Sequence, residues 1–516
     1  MRDFSTEYRA GHEDLLAFYA TPPSAIWDEA PVAEAWPETL VESIRAYQSA
    51  RGCTAAPSGS EAVIITGQQP AIFTGPLYTI FKGVTAIALA KQLEQKFGVA
   101  TSPVFWVGSE DHDLDEACTT YFLNRAHEPQ AVTYAPTGGV DGLPMFRVPV
   151  EDSLHAAIDE AAANTTGSEY TEDVAAFLHT SLDESDSIAD WTSRLLMRLF
   201  ADTPLVFFAP HLPEARRLAA PILEAEIRDP LASTTTLNEA GNALERLGFA
   251  AQVVKGATEC CFFVETEGVR QKVVYEKGRF ETPGDGRTYS EADLLERLAT
   301  APEEFSPNVA LRCVVQQQLF PVRAYVAGPG ELAYWAQLRG VFERHGLEMP
   351  VVYPRARGAL TTIKLNKLLK KLGLTIGDLG QHEDALMDSA MRTVAANDGF
   401  RLVQDQRRDL EASLETLAAG LDKDAPTAAA MARSLAEDTG TKLDRIERAI
   451  LNTDEAKQEA TRKQLRRVCN SLAPMRKPQE RVFNVFSYLF EYGWGLVPRL
   501  VEELDIESFE TTEVEL

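Results

Sequence analysis

Cysteine is scarce and unpatterned in this chain of 516 residues. Cys53, Cys118, Cys260, Cys261, Cys313 and Cys469 form no C-x-x-C pair and no Cys/His ladder, which argues against a structural zinc site and a disulfide framework. Long apolar runs are missing too, since none approaches the ~18 residues of a membrane span. The opening MRDFSTEYRAGHEDLL is charged where a secretory signal would be apolar. Basic residues are outnumbered, 50 Lys and Arg against 77 Asp and Glu, for a formal net charge of −27. Such a surface attracts neither nucleic acid nor an anionic membrane. The expectation is a soluble, cytoplasmic protein, and the acid excess is in keeping with a salty cytoplasm. The composition is otherwise ordinarily globular, 45% apolar and 25% charged. At this length roughly two to four structural units are expected.

The organising stretch is residues 62–107. Ala62-Val63-Ile64-Ile65 is a short apolar strand of the kind buried in a parallel sheet, and Gly67-Gln68-Gln69 follows it. Leu77, Ile80, Phe81, Val84 and Ala88 then recur at helical spacing. Thr74-Gly75-Pro76 supplies a capping hydroxyl and a proline for the start of that helix, near Tyr78. A second apolar strand, Val104 to Val107, completes a βαβ unit. Ligands in open α/β sheets bind at the carboxyl edge of the strands. Four further features reach that edge. Glu110, Asp111, His112, Asp113, Asp115 and Glu116 crowd the end of the second strand; the run suits Mg²⁺ at Asp111 and Asp113 or an ammonium group, or is an exposed turn in which Asp113 or Asp115 caps a helix. His211 ends an apolar strand at 204–209, as a catalytic group or simply as a strand terminator. Gly328-Pro329-Gly330-Glu331 follows the strand at 322–327 and opens a helix through Tyr334, Trp335, Leu338 and Phe342. Arg355 follows the strand Val351-Val352-Tyr353.

The remainder organises around this core. Residues 124–203, with a β-like piece over 132–150, form a first insertion. Residues 218–305 form a second, with strands expected at 251–254, 260–265 and 271–276 and an inert, buried Cys260-Cys261 pair. Beyond residue 361, Leu410, Leu414, Leu417 and Leu421 keep heptad spacing, as do Leu443, Ile446 and Ile450, then Leu465, Val468 and Leu472. Two helices folded back as an antiparallel coiled-coil arm are expected, each up to about 60 Å long at 1.5 Å per residue. From Pro474 the chain turns aromatic, with Val482, Phe483, Phe486 and Phe490 on one face, and is expected to return to the core. Lys477, Gln479 and Arg481 stand there as candidate phosphate ligands, or as a solvated helix start. The division is therefore 1–123 core, 124–203 insertion, 204–217 core strand, 218–305 insertion, 306–360 core, 361–473 arm and 474–516 returning segment.

Four blocks in order, GQQPAIFTGPLYTIFK, FWVGSEDHDLDE, YVAGPGELAYW and KPQERVFN, resemble the BshC family, the cysteine ligases of bacillithiol biosynthesis. The resemblance spans essentially the whole chain. It implies an α/β fold: a Rossmann-like parallel-sheet core similar to nucleotidylyltransferases and class I aminoacyl-tRNA synthetases, two connecting insertions, and a helical arm that makes a homodimer. It also implies addition of L-cysteine to malyl-glucosamine through an amide bond, with ATP or ADP as the adenine nucleotide. The synthetase signatures H-I-G-H and K-M-S-K-S are absent; Gly67-Gln68-Gln69 and Thr362-Ile363-Lys364 stand roughly in their places. On this basis Gln68, Gln69, Asp111, His112 and Asp113 are expected to be catalytic. Gly67, Thr74, Gly75, Tyr78, Glu110, Asp115, Asn308, Arg312, Gly328, Gly330, Glu331, Tyr334 and Arg355 are expected to bind substrates. Two rival readings are a dimeric nucleotide-sensing scaffold without catalysis and adenylyl transfer to another small carboxylic acid.

Overall fold

The computed structural model describes residues 3–394, 398–451 and 455–516. They form two units: a core unit of Met1–Arg125, Gln130–Ala359 and Glu480–Val514, and a helical unit of Ala126–Pro129, Leu360–Gln479 and Glu515–Leu516.

The core unit is built on five parallel strands: β1 (Ala62–Gln68), β2 (Thr101–Val107), β3 (Val206–Phe208), β4 (Val322–Ala327) and β5 (Val351–Pro354), in the order β5-β4-β1-β2-β3. These are the five strands expected from the apolar runs. β2 is buried along its whole length and β1 up to Gly67, so neither shows inside-outside alternation. Gly67 stands opposite Trp106, where a Cβ would come within 2.7 Å of the Trp106 carbonyl oxygen. The chain leaves β1 towards β2 on one side and later fills β4 on the other. The carboxyl end of β1 is thus a switch point, the place where such sheets open a crevice.

Helix α1 (Tyr78–Phe97) follows β1 through a tight loop in which Phe73, Thr74 and Gly75 all have positive φ, at 51°, 67° and 69°. The Phe73 ring anchors that loop edge-on to Phe122 and Trp191. Thr74 does not cap α1, contrary to expectation: Leu77 holds the N-cap position, and the Thr74 hydroxyl is buried without a hydrogen-bond partner. In the first insertion, residues 134–150 are largely irregular and only Pro129–Thr133 is a strand. Pro136, Pro144 and Pro149 withhold the N–H groups that a sheet there would need. Helices α2 (Ser153–Asn164) and α3 (Thr171–Asp183) follow in that insertion, and a further helix spans Ile188–Leu199.

The second insertion carries the expected antiparallel sheet, including Glu259–Thr266, Val269–Glu276 and Arg279–Thr282. The strand expected at 251–254 is absent because the Gln337 side chain, not a neighbouring strand, accepts the N–H groups of Gln252 and Val253. Gln337 also marks the break of the helix expected through Phe342. After α4 (Val309–Leu319) and β4, α5 (Pro329–Trp335) stops before it, and a separate helix spans Arg339–Arg344. Cys260 and Cys261 are buried, and burial pushes both thiols up. The aromatic tail returns to the core unit as expected, with Val482, Phe483, Phe486 and Phe490 buried.

In the helical unit, Asp398–Leu421 and Pro426–Leu451 form the expected antiparallel hairpin, with Arg433 on Asp422 at its tip and Arg407 on Asp444 further down. These stretches run 24 and 26 residues, roughly 36 and 39 Å, within the upper length expected. The seam differs as well. Ala418, Ala429 and Ala432 are buried, whereas Leu410, Leu417 and Ile446 are exposed. Small residues occupy the buried seam, and the heptad stripe is split, with Leu410, Leu417 and Ile446 outward and Leu414, Leu421 and Leu443 half-buried. Leu465, Val468 and Leu472 do serve as core, packed with Leu365, Leu369 and Leu386. Among the described residues no helix is long and apolar enough to cross a membrane.

Candidate functional site

The carboxyl edge of the core sheet opens into a cavity of about 490 Å³. It is lined by the ends of β1 and β4, by α1, by the loop after β2, and by Arg312, Arg355 and Arg481. Its floor is a buried ion pair. The Lys82 ammonium, on α1, donates to the Gly67 carbonyl (2.7 Å), Gln68 Oε1 (2.9 Å) and Glu331 Oε2 (2.6 Å), using all three of its protons. Glu331 in turn accepts from the Tyr325 hydroxyl (2.5 Å) and the Gly328 N–H (2.7 Å). Burial opposes ionisation of Glu331, yet Lys82, Tyr325 and the Gly328 N–H outweigh it and hold the carboxyl below the usual range. Burial, with Arg355 and Arg312 nearby, pulls the Lys82 ammonium below that of an ordinary lysine. The Gly-Gln end of β1 and the Gly-Pro-Gly turn after β4 are therefore joined through one lysine.

The opposite wall is acidic. Gln68 Nε2 donates to Glu116 Oε1 (3.1 Å), and the Tyr78 hydroxyl donates to the same oxygen (3.2 Å). Glu116 is exposed as a residue, yet desolvation against the wall, with Asp113 and Asp111 close by, raises its pKa against the opposing hydrogen bond from Tyr78. Burial and Glu116 likewise raise the Tyr78 phenol. Asp111 lines the cavity beside Glu116. On the basic side, Arg312 donates to the Tyr334 hydroxyl (2.8 Å), and Arg355 pairs with the buried Glu480 (2.6 Å).

The structure thus brings Gly67, Gln68, Gln69, Tyr78, Asp111, Arg312, Gly328, Gly330, Glu331, Tyr334, Arg355 and Arg481 around one cavity. Other expected residues lie elsewhere. Glu110 turns inward to a buried pair with Arg216 (2.8 Å), and burial raises its carboxyl. His112 stacks edge-on to Phe263 and meets Arg270 through Nδ1 (3.3 Å); burial and Arg270 lower its pKa. Asp113 caps the short helix Leu114–Ala117 by accepting the Glu116 N–H, and its carbonyl accepts from Gln69. Asp115 is exposed in that helix. Asn308 is buried and caps α4, accepting from the N–H groups of Ala310 and Leu311. Thr74 and Gly75 belong to the strained loop behind the floor. His211 is stacked on Phe146 and bonded to Ser109; burial drives its pKa down to about 3. Lys477 and Gln479 belong to the helical unit. There the Gln479 amide is engaged by the backbone of Leu360 and Ser471.

Two charged cavity residues carry no assigned role in the sequence reading. Glu116 was hidden as one acid among several. Lys82 had a clearer signal, because it is a lysine within a run, Thr79 to Ile87, in which every residue is buried. Such a cation requires anionic or carbonyl partners. Among the described residues no group of three or more His, Cys, Asp or Glu is placed to hold a metal ion.

Two family models match the chain. One, described as the N-terminal Rossmann-like domain of bacillithiol biosynthesis BshC, covers residues 3–356. The other, the C-terminal coiled-coil domain of BshC, covers residues 359–516. Relatives named "Putative cysteine ligase BshC" include one from Salinibacter ruber, 32% identical over 443 residues, with 86% of this chain and 80% of the relative covered. One from Prosthecochloris aestuarii is 31% identical, with 87% and 82% covered, and one from Bacillus cereus is 28% identical, with 85% and 82% covered.

Proposed function

The chain belongs to the BshC family of bacillithiol biosynthesis, and we propose that it is a ligase that joins L-cysteine to the amine of malyl-glucosamine through an amide bond. The observation that carries this reading is the two-signed cavity, with Lys82, Arg312, Arg355 and Arg481 facing Glu116 and Asp111. One substrate brings a carboxylate to be activated and the other a malyl carboxylate together with a sugar amine. Arg312 and Arg481 are placed to meet carboxylates, for which the guanidinium fork is suited. Asp111 offers a partner to the cysteine ammonium. Glu116, its pKa raised, accepts the proton that the sugar amine must lose to become a nucleophile. The Lys82–Glu331 pair fixes Gln68 and the Gly67 carbonyl, so that the floor is already organised when substrates arrive.

Joining a free carboxylate to an amine is uphill in water, and ATP, when bound, supplies the activation. The cationic wall fits phosphates, with Arg481 exposed on it. A Mg²⁺ carried by those phosphates would find Asp111 there, since Mg²⁺ keeps several waters and needs only one or two carboxylates. We place the reaction in the cytoplasm and the protein in a homodimer, whose contact we assign to the outward Leu410, Leu417 and Ile446 of the hairpin.

The test is mass spectrometry of the purified protein with cysteine and malyl-glucosamine, with and without ATP and Mg²⁺. Formation of the cysteinyl amide only with ATP, lost in Glu116→Gln and Arg312→Ala, is the expected result. Product from the Glu116→Gln variant at the wild-type rate refutes the assignment of the base.

A further inference from the structure

Helices α2 and α3 each carry a histidine and an aspartate one turn apart, His155 with Asp159 and His179 with Asp183. At a spacing of four residues each pair shares one helix face. The helices pack so that the pairs cross. His155 Nε2 lies 3.1 Å from Asp183 Oδ1, and His179 Nε2 lies 3.1 Å from Asp159 Oδ1. With the outer nitrogens held, the inner ones meet: Nδ1 to Nδ1 is 2.7 Å, and the rings are within 11° of coplanar with centroids 5.0 Å apart.

This is the arrangement seen behind metal-bound imidazoles. A ring that donates its far N–H to a carboxylate has its tautomer fixed, with the near nitrogen presented as a lone pair. Two such lone pairs face each other here, and they repel unless an electrophile, a proton or a metal ion, lies between them. The two carboxylates behind supply two negative charges, the complement of a divalent ion between neutral imidazoles. Both histidines are about one-third exposed, at 31% and 30%, so an ion reaches them from solvent. None of the four residues lines the sheet-edge cavity.

We propose that His155 and His179 bind one divalent transition-metal ion of the zinc class through their Nδ1 atoms, with Asp159 and Asp183 orienting the rings. Two imidazoles are the protein ligands, and water fills the remaining positions. At Zn–N distances of about 2.0–2.1 Å, two nitrogens at a tetrahedral angle stand about 3.3 Å apart, so the rings open by about 0.6 Å to admit the ion. Exposed side chains on two helix surfaces accommodate that movement. The bound ion clamps α2 to α3.

Calorimetric titration of the full chain with Zn²⁺ alone tests the site. The wild type is expected to show a high-affinity Zn²⁺ site that weakens at least tenfold in His155→Ala and in His179→Ala. The Asp159→Asn/Asp183→Asn variant, with both ligands intact, weakens about 10–100-fold. His12→Ala and His382→Ala, which alter histidines elsewhere on the surface, leave the titration unchanged. Circular dichroism confirms that the variants fold, and Zn²⁺ raises the melting temperature of the wild type but not of the double-alanine variant. Absence of Zn²⁺ binding, or equal binding and equal thermal response in the double-alanine variant, overturns the proposal.

Discussion

Replacing Lys82 by methionine probes the cavity floor, because the loss can be worked out from the contacts. Lys82 and Glu331 are 2.6 Å apart, with side chains 4% and 17% exposed. Their attraction at that distance is about 6 kcal/mol at an effective dielectric of 20, much of it cancelled by desolvation. Removing the lysine alone leaves Glu331 as a buried charge without its counter-ion, which costs about 3–5 kcal/mol. The Tyr325 hydroxyl and the Gly328 N–H still reach the carboxylate, so the lower end, about 3 kcal/mol, is expected. Lys82→Met/Glu331→Gln removes both charges and should recover most of that loss. Urea unfolding followed by the fluorescence of Trp106 and Trp335, both buried in the core unit, measures it. The pH dependence has a defined sign. In the wild type Glu331 is held below its unfolded pKa, so its contribution is present above that value and is lost as pH falls through the folded one. In Lys82→Met the folded pKa is raised, so the variant's deficit is smallest in acid and grows as pH rises through the raised value. A single variant that loses less than about 1 kcal/mol, or a double variant no more stable than the single, refutes the account of the floor.

Three further perturbations separate chemistry, packing and assembly. Glu116→Gln should lower turnover by about 10²–10⁴-fold with the fold intact. The rate of the wild type should rise with pH through a carboxyl pKa above the ordinary glutamate range, and that limb should vanish in the variant's pH–rate profile. Gly67→Ala drives a methyl against the Trp106 carbonyl and should cost about 1–3 kcal/mol in urea unfolding. Leu410→Glu with Leu417→Glu should halve the mass measured by light scattering while leaving helical circular dichroism unchanged; a monomeric wild type would refute the assembly assigned to the hairpin.

The parallel sheet was legible because each strand of it carries a short, predominantly apolar run, a pattern that survives without knowledge of its neighbours. Where the residues that form an element depend on a partner distant in sequence, legibility ends. The 251–254 segment has the composition of a strand, but Gln337 takes the N–H groups that a strand would need. That side chain also donates to the Val253 carbonyl, and α5 stops two residues before it, earlier than the apolar periodicity implies. The hairpin is a subtler case. Heptad leucines announce a helix that packs against something, and the alanines between them decide which face meets the other arm. Periodicity identifies a stripe but not its partner.

The acidic run after β2 shows why the candidate site was readable in location and not in residue roles. Strand ends converge on the sheet edge by topology, so Gly67, Gln68, Gly328, Glu331 and Arg355 could be placed there from their positions alone. Within residues 110–116 the chain turns sharply, and each carboxylate points where that turn sends it. Glu110 goes inward to Arg216, Asp113 to the Glu116 N–H and Asp115 to solvent, while Asp111 and Glu116 face the cavity. Sequence counts these as one cluster of like charge, yet the fold relieves most of their repulsion by giving each a separate partner. Of the two that line the cavity, Glu116 is held by Gln68 and Tyr78 from the neighbouring β1 and α1, and it is this anchoring, not the density of acids, that singles it out as the base we propose. Lys82 follows the same logic from the other side: a lone cation in a buried helical run is uninformative by type, but its depth obliges the fold to bring carbonyls and a carboxylate to it, and those groups are the ends of β1 and β4.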